Sequence, residues 1–182
     1  MKKHTIVALM QDRPGVLNRA VSLFRRRGFN IESLAVGHSE MPGVSRMTLV
    51  VESEEVEQVT KQLYRLIEVL KVSDVTDDPT VEREMVLAKL HAPPQSRAEI
   101  VALTSVFDAK IVDVGYNTMI IEMTGTPAKV ENFIEVIRPF CLKEMMRTGR
   151  IAMVRVAHTH QAPAEAAESG NGHVPAKAAA LN

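Results

Sequence analysis

Along the first half of the chain the spacing of apolar residues changes period repeatedly, and each change marks an element. His4 to Met10 is a short apolar run with β-branched members, closed by Gln11-Asp12-Arg13-Pro14-Gly15, so a strand gives way there to a turn. From Pro14 onward, Val16, Leu17, Ala20, Val21, Leu23 and Phe24 recur at helical spacing, with Arg25, Arg26 and Arg27 in the last turn and Gly28 just beyond. Proline at the start, cations at the end and glycine past it are helix start and stop signals. Asn30 to Gly37 and Ser45 to Val51 flank the turn-rich Ser39-Glu40-Met41-Pro42-Gly43, which predicts a hairpin. Val56, Val59, Leu63, Leu66, Ile67 and Leu70 then predict a second helix, and Lys71 to Val75 returns to an extended pattern.

The resulting order, β-α-β-β-α-β, recurs in the second half. Strands are predicted at Met85 to Leu90, Lys110 to Val114, Thr118 to Met123 and Ile151 to Val156, with helices at about Ser96 to Phe107 and Pro127 to Ile137. Two such units predict an α+β protein of two ferredoxin-like domains, residues 1–77 and 81–157. The polar, proline-containing Thr76-Asp77-Asp78-Pro79-Thr80 has the composition of a boundary. Residues 158–182 are rich in Ala, Pro, Glu, Ser and Gly without either period. Such a stretch buries too little apolar surface to offset its ordering entropy, and a disordered tail is expected.

Charge and composition narrow the function. Lys+Arg and Asp+Glu both total 22, so no net field draws the chain to nucleic acid or an anionic membrane. With 46 % hydrophobic residues but no Trp, the core is aliphatic and stacking platforms for bases or sugars are lacking. The single cysteine, Cys141, excludes an intramolecular disulfide. Without an export pattern or a membrane-length apolar run, a cytoplasmic protein is expected.

Asp12-Arg13-Pro14-Gly15-Val16-Leu17 sets a strand end, a glycine and a helix N-terminus at one point. Helix-leading N–H groups there can receive an anion, and a carboxylate gains roughly 0.3–1 kcal/mol from the helix dipole, up to about 2 when partly buried. Gly15 permits close backbone approach, Asp12 can meet an α-ammonium group, and Val16 and Leu17 can hold an aliphatic side chain. The alternative is that Asp12 caps the helix and Pro14-Gly15 only shape the turn.

The βαββαβ order with Asp12-x-Pro14-Gly15-Val16-Leu17 in its first loop resembles an ACT domain, a small-molecule-sensing module. Arg27-Gly28-Phe29-Asn30-Ile31-Glu32-Ser33-Leu34, Ser45-Arg46-Met47-Thr48, Lys61-Gln62-Leu63, Leu66 to Val72 and Val81-Glu82-Arg83-Glu84 are similar to the acetolactate synthase small-subunit family. Ile111-Val112-Asp113-Val114, Gly125-Thr126 and Thr148-Gly149 follow in that family's order. The resemblance implies an N-terminal ACT domain and a non-catalytic regulatory subunit, a homodimer or dimer of dimers. It implies valine, leucine or isoleucine as effector, bound between two ACT domains. It implies docking on a catalytic subunit that holds thiamine diphosphate, FAD and Mg, with no cofactor in this chain; activation and feedback inhibition follow from that docking. Asp12, Pro14, Gly15, Val16 and Leu17 would form one side of the pocket, and Asn30 with Ile31 the side reached from the partner chain. The family places Asn or Asp at the position of Asp12, and Asp adds charge attraction for an ammonium that Asn lacks. Asn30 also reads as a polar strand-start residue.

Other chemistry is weaker. His158 and His160 do not bring the three or more converging ligands a metal needs. Cys141, between Phe140 and Leu142, reads as a core cysteine rather than a nucleophile. Met145 and Met146 suit gap-filling or a subunit contact, and Arg25 to Arg27 are explained by the helix dipole. No nucleophile-base pairing, phosphate loop or H-E-x-x-H pattern is present. The second functional reading is a stand-alone amino-acid-responsive regulator contacting nucleic acid, against which the balanced charge counts.

Overall fold

The structure is a computed structural model and describes residues 2–156. The expected tail, with His158 and His160, lies outside the described residues. The first unit runs β1 (Lys2–Gln11), α1 (Val16–Arg27), β2 (Asn30–His38), β3 (Val44–Ser53), α2 (Val56–Leu63) and β4 (Val69–Asp74). Its antiparallel sheet has the order β2-β3-β1-β4. Ile6, Ala8 and Met10 of β1 and Met47, Leu49 and Val51 of β3 meet Val16, Ala20, Phe24, Val59 and Leu63 of the helices. Full burial of each large aliphatic or aromatic side chain there stabilises by roughly 1.5–3 kcal/mol.

The second unit repeats this plan with β5 (Thr80–His91), α3 (Pro94–Val106), β6 (Lys110–Val114), β7 (Thr118–Gly125), α4 (Pro127–Ile137) and β8 (Leu142–Arg147), followed by β9 (Ile151–Val154). The order is β6-β7-β5-β8, with β9 paired to the leading end of β5. The α4 start follows its sequence signals: the Thr126 hydroxyl accepts from Lys129 N at 3.3 Å, and Pro127 stands in the first turn.

Three local expectations are corrected. The second helix stops at Leu63 rather than Leu70, because Val69 and Leu70 join β4 beside β1. The i, i+3, i+4 spacing of Leu63, Leu66, Ile67 and Leu70 misleads there, since Ile67 is 89 % exposed. The fourth strand of the second unit is Leu142–Arg147, not Ile151–Val156, which instead supplies β9. Cys141 is exposed rather than a core residue, because a left-handed backbone (φ 55°) turns the chain there from a 3₁₀ turn into β8.

The two sheets are joined by a ribbon. Thr80 to Arg83 of β5 pair with β9 and lie across the face of the first sheet that its own helices leave open. Thr5 donates to Glu82 at 3.5 Å and Arg46 to the Ala152 carbonyl at 3.0 Å. Thr5, Val7, Thr48 and Val50 are therefore buried although they point away from the helices, and β1 is a strand covered on both faces. The β8–β9 turn presses on β2: the Arg150 amide donates to Ser33 Oγ at 2.7 Å, and a Cβ on Gly149 (φ +83°) would lie 2.8 Å from the Leu34 carbonyl oxygen. Only glycine fits that approach. Inside the second unit, Arg147 clamps Glu84, which is 7 % exposed, through Nε (2.6 Å) and Nη2 (3.0 Å), and reaches Glu131 through Nη1. The hydrogen bond to the Glu84 carboxylate raises the pKa of Arg147 above its ordinary value, as a bidentate charge-assisted pair does. No helix among the described residues is long and apolar enough to cross a membrane.

Candidate functional site

The β1–α1 loop is held by its backbone. Gln11 N donates to the Glu68 carbonyl (2.9 Å) and Asp12 N to the Gly43 carbonyl (2.8 Å), which fixes the strand end against β4 and the β2–β3 hairpin. Pro14 lies just outside α1, whose N-cap is Gly15 in the left-handed region (φ 84°, ψ −10°). The first helical turn closes with Arg19 N on the Gly15 carbonyl at 3.0 Å. The Val16 amide donates to the Arg13 carbonyl at 3.3 Å, but no side chain caps this helix, so the amides that follow it in the first turn are available to an anion.

Asp12 is not the cap. Its carboxylate lies 3.1 Å from His38 Nδ1 at the end of β2, with both side chains substantially exposed, an arrangement that contributes little to stability. Directly over Gly15 lies the guanidinium of Arg19: a Cβ on the glycine would sit 3.3 Å from Arg19 Nη1. Arg19 Nη2 contacts Glu68 Oε1 at 2.6 Å. The loop thus combines a bare backbone, free helix amides, a cation one turn along and an exposed carboxylate, the complementary charges of a zwitterion.

Of the residues singled out in the sequence, Asp12, Pro14, Gly15 and Leu17 stand together at this loop and are exposed. Val16 turns inward, is 2 % exposed and belongs to the core; Leu17 is left as the apolar contact. Asn30 and Ile31 are elsewhere. Gln11 stands opposite Val44, whereas Asn30 stands opposite Glu52, eight residues further along β3, roughly 27 Å away at about 3.4 Å per residue. One chain does not bring the two groups together. Arg19, Glu68 and His38 were missed in the sequence; the legible signal was the i, i+4 spacing of Gly15 and Arg19.

The loop residues do not line the cavities at the junction of the sheets. One, of about 750 Å³, is bordered by Glu32, Ser33, Glu84, Arg147 and Arg150; another, of about 510 Å³, lies between β2 and β9 beside Val36, Ile151 and Met153. The Glu84–Arg147–Glu131 cluster in the first is satisfied by its own partners.

Comparison with known proteins agrees with the division into two units. Residues 6–71 match the family model described as AHAS small subunit-like ACT domain, and residues 83–156 the model described as small subunit of acetolactate synthase. A probable acetolactate synthase small subunit from Archaeoglobus fulgidus is 56 % identical over 155 residues, 84 % of this chain and 97 % of that protein. The acetolactate synthase small subunit of Mycolicibacterium smegmatis is 45 % identical over 154 residues, 84 % of this chain and 91 % of that one. The crystal structure of the small subunit from Thermotoga maritima superposes with a TM-score of 0.79 at 40 % identity, covering 86 % of this chain and 99 % of that chain. With both units matched in order and relatives covered almost end to end, the chain belongs to the acetolactate synthase small-subunit family, whose members are non-catalytic regulatory subunits.

Proposed function

We propose that this subunit raises the activity of an acetolactate synthase catalytic subunit and makes it sensitive to feedback inhibition by valine, leucine or isoleucine bound at the β1–α1 loop. The observation that carries the reading is Gly15, left-handed at an uncapped helix start beneath the Arg19 guanidinium. The effector carboxylate would take the helix amides and Arg19, a charge-assisted contact of roughly 1.5–3 kcal/mol. Asp12 would take the ammonium group and Leu17 the branched side chain. A second copy would bring Asn30 and Ile31 to the same effector, which makes occupancy a report on how two chains are joined. The chemistry itself belongs to the catalytic partner, with its thiamine diphosphate, FAD and Mg. A coupling of about 1–3 kcal/mol between effector and partner changes affinity for the active arrangement by about 5- to 150-fold, and the same coupling acts in reverse on the effector.

Isothermal titration of valine into the purified chain, with alanine as the side-chain control, tests this reading. Valine-selective binding that disappears in Gly15→Asp is expected, since the new carboxylate would face the effector's own. A variant that remains fully valine-sensitive would overturn the assignment of the loop.

A further inference from the structure

The α2–β4 and α4–β8 turns occupy the same place in the two units, and their registers align. The Glu68 carbonyl accepts from Gln11 N at 2.9 Å, as the Cys141 carbonyl accepts from His91 N at 3.1 Å. One residue on, Val69 stands opposite Met10 and Leu142 opposite Leu90; Leu70 and Lys143 follow, each left without a partner by a register shift. Tyr64 therefore corresponds to Ile137, Ile67 to Phe140 and Leu70 to Lys143. In the second unit Ile137 is buried, Phe140 packs against the core and Lys143 carries a charge into solvent. In the first unit all three side chains are large, apolar and exposed, Ile67 to 89 %. Packing within the chain does not account for them, and a cluster of exposed apolar side chains marks a surface that meets another molecule.

The surroundings define that molecule. β4 is the outer strand of the first sheet, but the Tyr64 hydroxyl accepts from Val72 N at 3.1 Å and donates to the Val72 carbonyl at 3.0 Å. Both backbone groups that an added strand would use there are taken, so the surface receives side chains rather than a strand. Arg65 and Lys71, beside Tyr64 and Leu70 in the chain, are exposed as well and give the apolar centre a basic rim. The turn is also continuous with the β1–α1 loop. Glu68, next to Ile67, holds Gln11 N through its carbonyl and Arg19 through its carboxylate, at 2.6 Å. A ligand that draws on Arg19 therefore acts on the residue beside Ile67.

We propose that Tyr64, Ile67 and Leu70 are the contact through which this chain engages the acetolactate synthase catalytic subunit, against an apolar hollow bordered by carboxylates. The contact rests on the function proposed above, in which that subunit is activated and an effector at the β1–α1 loop restrains it. Glu68 joins the two sites, so occupancy of one changes affinity at the other, in both directions.

Binding of the full chain to the immobilised catalytic subunit of the same organism, followed by biolayer interferometry, tests the contact with wild type, Ile67→Asp and Ile67→Leu. Ile67→Asp is expected to weaken binding by about tenfold or more, as loss of an interface anchor does, and to lower activation in step. Ile67→Leu should bind as wild type. In the free chain the valine affinity and urea midpoint of Ile67→Asp should equal the wild-type values, because the side chain is solvated there. Unchanged binding in Ile67→Asp overturns the contact and leaves the proposed function standing. Binding lost together with a lower urea midpoint, or lost equally in Ile67→Leu, overturns it as damage to the fold. A fall in the mass of the free chain in Ile67→Asp, read by sedimentation equilibrium, assigns the surface to a second copy and overturns it too. A wild type that neither binds nor activates the catalytic subunit overturns contact and function together, whereas one that binds it but not valine overturns the effector reading alone.

Discussion

The β1–α1 and β5–α3 turns occupy the same place in the same topology, and their chemistry is opposite. At the first, left-handed Gly15 leaves the helix start bare and Arg19 turns sideways to Glu68. At the second, Pro93 and Pro94 enter the helix without glycine, and Arg97 folds back over the turn. Its Nε donates to the Ala92 carbonyl at 3.1 Å, and its Nη2 to the carbonyls of Gly115 (2.8 Å) and Tyr116. The second loop is closed by its own cation, which spends its donors on backbone oxygens. At the first, Arg19 pairs with the Glu68 carboxylate and no side chain caps the helix start. A repeated fold thus closes one turn with an arginine and leaves the other uncapped, and the difference lies in where a single arginine points.

The largest effect is expected at the closed loop. Arg97→Ala leaves two partly buried carbonyls and one exposed carbonyl without their charged donor and is expected to lower stability by about 2–3 kcal/mol, read as a lower urea midpoint with unchanged slope. Valine affinity should stay at the wild-type value; a fall would show that the second loop takes part in recognition. At the open loop, Gly15→Ala forces a non-glycine residue to φ +84° and is expected to cost about 1–2 kcal/mol, visible in the same titration. Little loss of stability would mean that the left-handed turn relaxes. Arg19→Ala should weaken valine binding by about fivefold, or roughly 1 kcal/mol, while lowering the urea midpoint less than Arg97→Ala does, because Arg19 is 47 % exposed in its pair with Glu68. Stability lost with affinity intact would make Arg19 a second structural arginine and erase the contrast with Arg97. The smallest effect is expected for Asp12→Asn, a two- to threefold loss of affinity, since an exposed carboxylate beside His38 attracts an ammonium group only weakly through solvent.

Much of the fold was legible because its signals are local. Pro14, the spaced apolar residues and Gly28 bound α1, and the turn residues from Ser39 to Gly43 separate β2 from β3. The misread segments are those where a local pattern fits two structures. Leu66 to Leu70 satisfies a helical period, yet pairing of β4 with β1 claims Val69 and Leu70. Ile151 to Val156 reads as the final strand of a unit, yet Leu142 to Arg147 takes that place beside β5. At the candidate site, Gly15 announced the loop, but Arg19 looked like one more surface cation of an amphipathic helix. Its guanidinium matters only because the first turn of α1 carries it back over the glycine.

By itself the sequence determined that the chain makes two βαββαβ units around aliphatic cores and places Gly15 at a strand-to-helix turn in the first, because residue spacing, turn chemistry and caps act over a few neighbours. Tertiary structure alone decided that β5 and β9 cover the first sheet, that Gly149 sits against Leu34, and that Asn30 stands far from Gly15 in one chain. Those outcomes depend on strands and turns meeting far along the chain, up to 117 residues apart for Ser33 and Arg150, and no local pattern encodes which surfaces meet.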